Sequence, residues 1–262
     1  GRLLGASGGV WGYRAFKERF FYEVRMGLRL VPMQKKGIMD DLAKLTTQIG
    51  SVVKMEDCVD FPEETEEIEY VELTEDQKKG IEKVEENEIL VLPKMTRIHQ
   101  ICGGTLKDNP YLKQTRFESD KVGRAVAFCG EWDKSIIVCR YNEELEMLKK
   151  ILWKEGKIVS VINGETDDKA DVLFHFEHAD EGVLLVNGAC SEGWEAQSVS
   201  AMMFYSMDFS VKNYLQMKAR IKRVNNPKKL YYKFLLCKGT VDEEVYRSVV
   251  IDKMSYYDKL KE

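Results

Sequence analysis

Ser135-Ile136-Ile137-Val138-Cys139 is a run of five residues with no charge, set between Lys134 and Arg140. It does not alternate polar with apolar. A strand of this kind is buried on both faces, and such strands belong to parallel sheets covered by helices. The residues outward from it keep that rhythm. Asn142 can cap a helix over 142–153, with Leu145, Leu148 and Leu152 on one face. Residues 157–162 read as the next strand, ended by Asn163-Gly164. Asp167 or Asp168 starts a helix to about His178. Residues 182–186 and 201–205 read as two further strands. A helix follows over 211–224, then a strand over 230–237. Thr240 caps a last helix, with Glu243 at the capping-box position. Strands alternating with helices of this length predict an α/β fold with a parallel, doubly wound sheet.

The rhythm changes near residue 120. The chain before it, residues 1–118, is expected to be mainly helical, with residues 119–262 forming the α/β part. Residues 33–49 have helical spacing, with Ile38, Leu42, Leu45 and Ile49 on one face. An acidic segment over 56–69 contains Pro62; its stretch Glu63 to Glu69 reads as a solvated connector, and residues 68–73 read partly as a strand. Thr74, with Gln77 three residues later, forms a capping box that opens a helix. A further helix is expected over 88–101, its start moved later by Pro93 and its end set by Gly103-Gly104.

Composition narrows the function classes. The 262 residues are 44% hydrophobic and 32% charged, with net charge −4, which excludes a disordered chain. No apolar run reaches the ~18 residues of a membrane span. Six cysteines lie far apart with no C-x-x-C pair, so no zinc site is expected and the thiols are expected to be reduced, inside a cell. His175 and His178 have ligand spacing but no third ligand, so a helix-end surface pair is expected. One local nucleic-acid signal exists: Lys218, Arg220, Lys222, Arg223, Lys228 and Lys229 fall within a dozen residues. Lys35-Lys36 and Lys78-Lys79 are read as solvated helix faces.

The stretch 191–223 carries the chemistry. On a helix Gln216, Arg220 and Arg223 share one face, while Tyr214, Met217, Ile221 and Val224 make a separate apolar stripe. Two fixed guanidiniums suit a polyphosphate, because they are always charged and bond oxygens bidentately. Ser191-Glu192-Gly193-Trp194-Glu195 sits just past the third strand, where open parallel sheets bind ligands.

That order resembles motifs V and VI of the second RecA-like lobe of superfamily 2 helicases. Glu192-Gly193-Trp194-Glu195 occupies the motif V turn, and Gln216-Met217-Lys218-Ala219-Arg220-Ile221-Lys222-Arg223 occupies motif VI. Met95-Thr96-Arg97-Ile98-His99-Gln100-Ile101-Cys102 resembles the linking helix of SWI/SNF-type ATPases, with Asn109-Pro110-Tyr111-Leu112 after it. Ser119-Asp120-Lys121 stands before the first strand of the lobe, as in that family. Residues 135–141 resemble motif IV. Gly239-Thr240-Val241-Asp242-Glu243 resembles the family's C-terminal box. Gly12-Tyr13-Arg14-Ala15-Phe16 and the residues after it resemble the segment behind motif III. The motif V variation and the Val224-Asn225-Asn226 after motif VI look closer to phage and bacterial members than to eukaryotic remodellers.

The resemblance implies a RecA-like lobe of a SWI/SNF-type, ATP-dependent DNA translocase, with Arg220 and Arg223 on ATP phosphates and Arg223 as the arginine finger. It implies that Gln216 acts with them, and that Glu192, Gly193 and Glu195 lie at the nucleotide. It implies double-stranded DNA as partner, contacted near Arg140, Asn163, Gly164 and Ser191. Trp194 either stacks on a base or packs beside the cleft. The chain holds no Gly-x-x-x-x-Gly-Lys-Ser/Thr loop and no Asp-Glu-x-His box. ATP and Mg²⁺ are therefore expected to need an N-terminal lobe of the same protein, and this chain alone to be inactive. The alternatives are a non-catalytic DNA-binding or interaction module on the same scaffold and a nucleotide-binding regulatory domain.

Overall fold

Every strand read from the second half of the sequence becomes a parallel strand of one sheet. In the computed structural model, residues 2–4, 10–26, 29–35, 37–38, 41, 44, 60–107, 110, 112–113, 115–223 and 228–252 are described. Contacts divide the chain into two units, Gly1–Cys58 with Ile251–Glu262, and Val59–Val250.

The first unit contains an antiparallel pair, β1 (Arg2–Leu4) with β2 (Val10–Gly12), then helix α1 (Tyr13–Phe20), then a second pair, β3 (Phe21–Met26) with β4 (Arg29–Gln34). Phe20 is buried and packs on Phe16, with ring centroids 4.8 Å apart. The described part of this unit therefore holds more strand than the helical reading expected. Residues 33–34 belong to β4, and most of the helix expected over 33–49 lies outside the described residues.

The second unit is built on a six-stranded, all-parallel sheet. Its strands are β5 (Glu64–Val71), β6 (Lys134–Cys139), β7 (Val159–Ile162), β8 (Gly182–Asn187), β9 (Ala201–Phe204) and β10 (Leu230–Cys237), in the spatial order β5-β10-β9-β6-β8-β7. Its helices are α2 (Glu75–Asn87), α3 (Val91–Cys102), α4 (Asp120–Glu131), α5 (Asn142–Lys154), α6 (Lys169–His178), α7 (Val211–Lys218) and α8 (Val241–Tyr246). Strand alternation splits the core into two layers. Ile136 and Val138 face one layer with Phe176, Tyr214 and Met217, while Ile137 and Cys139 face the other with Phe128, Leu148 and Leu152. This is the arrangement that the uncharged run at 135–139 required.

Local signals set most helix ends. Thr74 and Gln77 form the reciprocal capping box. Pro93 sits in the first turn of α3, where its missing N–H costs nothing. Asp168 caps α6 through the Asp171 N–H. At α5 the cap falls on Tyr141, one residue before the expected Asn142, because Glu144 reaches back to the Tyr141 N–H (3.2 Å). Asn142 is the first helical residue, and its side chain accepts from Asn187 Nδ2 (2.8 Å).

The acidic segment is a strand rather than a connector. All eight residues of β5 pair in register with β10, from Glu64 opposite Leu230 to Val71 opposite Cys237. Its carboxylates meet basic side chains on both faces. Glu64 takes Lys218 (2.8 Å) and Lys222 (2.6 Å), Glu66 takes Lys218 (2.5 Å), and Glu69 takes Lys233 (2.8 Å) and Arg124 (3.0 Å). Glu63 pairs with Lys229 just before the strand. The basic cluster read as a nucleic-acid signal thus has Lys218, Lys222 and Lys229 already neutralised.

A buried polar network closes the C-terminal edge of the sheet. The Lys121 ammonium at the start of α4, fully buried, donates to Asp242 Oδ2 (2.6 Å) and to the Tyr205 carbonyl (2.9 Å). Asp242 Oδ2 also accepts from the Cys237 N–H (2.9 Å). His99 Nε2 of α3 lies 3.3 Å from Asp242 Oδ1, outside hydrogen-bond geometry, and His99 Nδ1 lies 3.1 Å from the Tyr141 hydroxyl. Beside them, Glu144 Oε2 accepts from Ser206 Oγ (2.5 Å), whose oxygen accepts from the Arg140 N–H (2.7 Å). A Cβ on Gly103 would stand 1.9 Å from Glu144 Oε1, so only glycine lets α3 end against this carboxyl.

Two expectations follow from this network. Lys121→Ala leaves the Asp242 carboxylate buried and unpaired and should cost about 3–5 kcal/mol in urea unfolding. Burial raises the Glu144 pKa to about 7 from 4.5 and lowers that of His99 to about 4 from 6.5. The folded state therefore holds the Glu144 proton more tightly than the unfolded state and the His99 proton less tightly. The Glu144 contribution is lost as pH rises from about 4.5 to 7, and the His99 contribution is lost as pH falls from about 6.5 to 4. The two slopes oppose each other between pH 4.5 and 6.5. In that window His99→Gln should gain stability on acidification and Glu144→Gln should lose it. Equal pH slopes in both variants would refute the assignment.

Candidate functional site

Parallel sheets present ligand sites at the C-terminal ends of their strands. The candidates that lie in strand-following loops are found there. Arg140 follows β6, Asn163 and Gly164 follow β7, the 191–195 turn follows β8, and Asp208 follows β9. Gln216 projects from α7, packed beneath this edge through Tyr214 and Met217, and Ile221 just beyond the helix is buried as the apolar stripe required. Val224 lies outside the described residues.

The arginines do not stand on a continuous helix. α7 ends at Lys218, and the chain tightens into a turn in which the Arg220 N–H donates to the Met217 carbonyl (3.0 Å). Two contacts with the motif V segment hold this end. The Ala196 N–H donates to the Arg220 carbonyl (3.1 Å), and Arg220 Nη1 donates to the Trp194 carbonyl (2.5 Å). Helical spacing correctly placed Gln216 near Arg220, whose Nε donates to the Gln216 carbonyl (3.0 Å). It missed the early end, because the competing partners come from residues more than twenty positions away.

Each polar group of this row meets the 191–195 turn. Arg223 Nη2 pairs with Glu195 Oε1 (2.6 Å), while its Nε is buried with no hydrogen-bond partner among the described residues. Gln216 Oε1 accepts from Ser191 Oγ (3.0 Å), and Gln216 Nε2 donates to Glu192 Oε1 (3.3 Å). Lys212, one turn before Gln216, donates to the same Glu192 oxygen (2.6 Å). Those bonds from Lys212 and then Gln216 hold the Glu192 carboxyl below its usual pKa. Burial, then the adjacent Arg223, lowers the pKa of Arg220. Sequence reading had no role for Lys212, although its i,i+4 relation to Gln216 was visible.

The remaining candidates are more inward than expected. Ser191 is 1% exposed and spends its hydroxyl on Gln216, so it faces the interior. Trp194 is buried, its Nε1 donating to the Cys190 carbonyl (2.7 Å), which decides for packing over stacking on a base. Arg140 pairs with Asp208 (2.9 Å), and Asp208 in turn accepts from Asn213 of α7. Asn163 closes its own turn, accepting from the Glu165 N–H (3.0 Å), and Gly164 is exposed at its tip. Gly193 has φ +83°, a left-handed conformation that turns the chain between Glu192 and Trp194.

Metal chemistry finds no support in these residues. Among those described, the one group close enough to share an ion is Cys102, Cys237 and Asp242. It is buried, its carboxylate already holds the Lys121 ammonium, and soft thiols do not suit magnesium. His175 and His178 are exposed, contacting Asp171 and the Phe174 carbonyl. A polar cavity of about 330 Å³, lined by Lys134, Glu177 and Ser198, opens at the opposite, N-terminal ends of the strands.

Residues 120–225 match the helicase conserved C-terminal domain family. The fold of the chain resembles those of two solved ATPase structures. It is similar to the C-terminal part of the Fun30 ATPase domain, at TM-score 0.58 and 13% identity, over 76% of this chain and 98% of that one. It is also similar to the Sulfolobus solfataricus SWI2/SNF2 ATPase core in complex with dsDNA, at TM-score 0.57 and 19% identity. That match covers 75% of this chain but 46% of the archaeal one, so the chain spans less than half of that ATPase core. No curated protein matches the chain in sequence. The matched segment contains the Gln216–Arg223 row and the 191–195 turn, and the sheet is the RecA-like α/β sheet expected from the sequence. No helix among the described residues is long and apolar enough to cross a membrane.

The left-handed turn at Gly193 gives a direct test. A Cβ at Gly193 would meet nothing within 4 Å, so the cost of Gly193→Ala is one of backbone conformation alone. It should be about 1–2 kcal/mol in denaturant unfolding, with Gly193→Asn less costly.

Proposed function

We propose that this chain is the C-terminal lobe of an ATP-dependent translocase acting on double-stranded DNA. In this reading Arg220, Arg223 and Gln216 are presented to an ATP site shared with an N-terminal lobe. The observation that carries it is the row itself. Two guanidiniums and a carboxamide converge on the 191–195 turn, each restrained by a defined partner. The order of segments supports dividing the chain into an insertion and linker region, 1–118, and a second lobe, 119–262, with β5 then contributed to the sheet from the linker side.

The chemistry follows from charge. A phosphoryl group in transfer carries negative charge on its equatorial oxygens, and positioned guanidiniums stabilise it without a proton transfer. Arg223 suits the finger role: one nitrogen is held by an exchangeable carboxylate and its Nε is unpartnered among the described residues. The turn residues Glu192, Gly193 and Glu195 would border the nucleotide. Magnesium and the phosphate loop belong to the other lobe, since no carboxylate pair suited to magnesium accompanies the row. For DNA, the exposed tip at Asn163-Gly164 is the best-placed contact. Arg140 can serve only by exchanging Asp208, and Ser191 only by leaving Gln216. A DNA partner also accords with an intracellular location.

In a protein joining both lobes, Arg220→Ala and Arg223→Ala should each lower DNA-stimulated ATP turnover, Arg223→Ala by about 10³-fold or more, with unfolding stability nearly unchanged. Full turnover in both variants would refute the arginine assignment.

A further inference from the structure

We propose that Glu192 is an internal stand-in for a ligand phosphate, and that Lys212 is a further phosphate-binding residue of the same row. The proposal rests on reading that row as a nucleotide site. It starts from one carboxylate oxygen. Glu192 Oε1 accepts at once from Lys212 Nζ (2.6 Å) and from Gln216 Nε2 (3.3 Å), two donors one helical turn apart on α7. An anionic oxygen held between an ammonium and an amide N–H₂ is the arrangement a phosphate oxygen would take.

The two halves of the Gln216 carboxamide have different fates. Its oxygen accepts from Ser191, which is 1% exposed, so that bond is fixed in the interior. Its N–H₂ turns outward onto Glu192. The flipped amide would set its oxygen against an acceptor-only carboxylate, so Glu192 and Ser191 together select one orientation. Ser191 is in this sense a positioning residue: it aims two amide hydrogens at the place Glu192 now occupies.

The occupying carboxylate is easily displaced. The side chains of Glu192 and Lys212 are 64% and 68% exposed, and an ion pair that open contributes little to stability. A polyphosphate brings several charges to the same donors and to Arg220 and Arg223, so it outcompetes a single glutamate. When it enters, the carboxylate leaves Lys212 and Gln216 and no bond is made or broken covalently. The row is thus capped by its own turn when empty, by Glu192 at one end and Glu195 at the other.

The test uses this chain with inorganic tripolyphosphate as the probe, followed by calorimetry at low ionic strength. Glu192→Gln should bind up to about fivefold tighter than the unaltered chain, the size of one exposed ion pair. Lys212→Ala should bind more weakly by a similar factor, and Glu192→Gln added to it should give a smaller gain, because the two residues act on one another. Glu181→Gln, just before β8 at the N-terminal end of that strand, makes the same change in net charge and should not tighten binding. If Glu192→Gln gains nothing, or no more than Glu181→Gln, while Arg220→Ala/Arg223→Ala weakens binding, the stand-in role fails and the arginine site survives. If no variant binds the probe, the proposal fails; if the double arginine variant binds as well as the unaltered chain, the nucleotide reading fails with it.

Discussion

The buried ion pair between Lys121 and Asp242 holds the ligand-facing edge of the sheet together. Its two charges come from the start of α4 and the start of α8, 121 residues apart, and both are almost fully excluded from water. Isolated, either charge would be prohibitive there; together they compensate each other, and the Tyr205 carbonyl and the Cys237 N–H add a hydrogen bond to each. The pair joins the ends of β9 and β10 to the helix that precedes β6. His99 brings α3 against the same carboxylate, and Tyr141 and Glu144 carry the polar contacts on to Ser206 and the Arg140 backbone. The loops that bear the site are thus anchored at their roots by groups that cannot separate without stranding a charge.

Electrostatics acts differently at the far edge. Along β5 the carboxylates are exposed or half-exposed, and each ion pair with a lysine or arginine is weak taken singly. Their joint effect is on placement. In register with β10, they give an acidic strand a unique partner among the basic side chains of α4, α7 and β10, and they make the sheet edge a poor template for another acidic strand. The same pairs consume much of the positive charge that the sequence concentrates between 218 and 229.

The site combines both kinds of electrostatics. Its inner members are fixed: Ser191, Trp194 and the Arg220 backbone are held by buried or half-buried hydrogen bonds. Its outer members, Glu192, Lys212, Glu195 and part of Arg223, meet in contacts open to water. A row built this way keeps its donors aimed while leaving their partners exchangeable, which is what a site that binds and releases an anion requires.

The sequence by itself determined the sheet, the helices that cover it and the neighbourhood of the site. Uncharged runs such as 135–139 can be satisfied only by burial on both faces, and capping residues such as Thr74 and Asp168 act within three or four positions, so both are readable locally. The grouping of Gln216 with Arg220 was legible for the same reason. Tertiary structure alone decided which polar groups pair. It ended α7 at Lys218, made a strand of the acidic segment, turned Ser191 inward, gave Arg140 to Asp208 and set Lys212 beside Glu192. Hydrogen bonds and ion pairs are decided by distance in space, and their partners here lie from about 20 to more than 150 residues apart along the chain, beyond the reach of any local pattern.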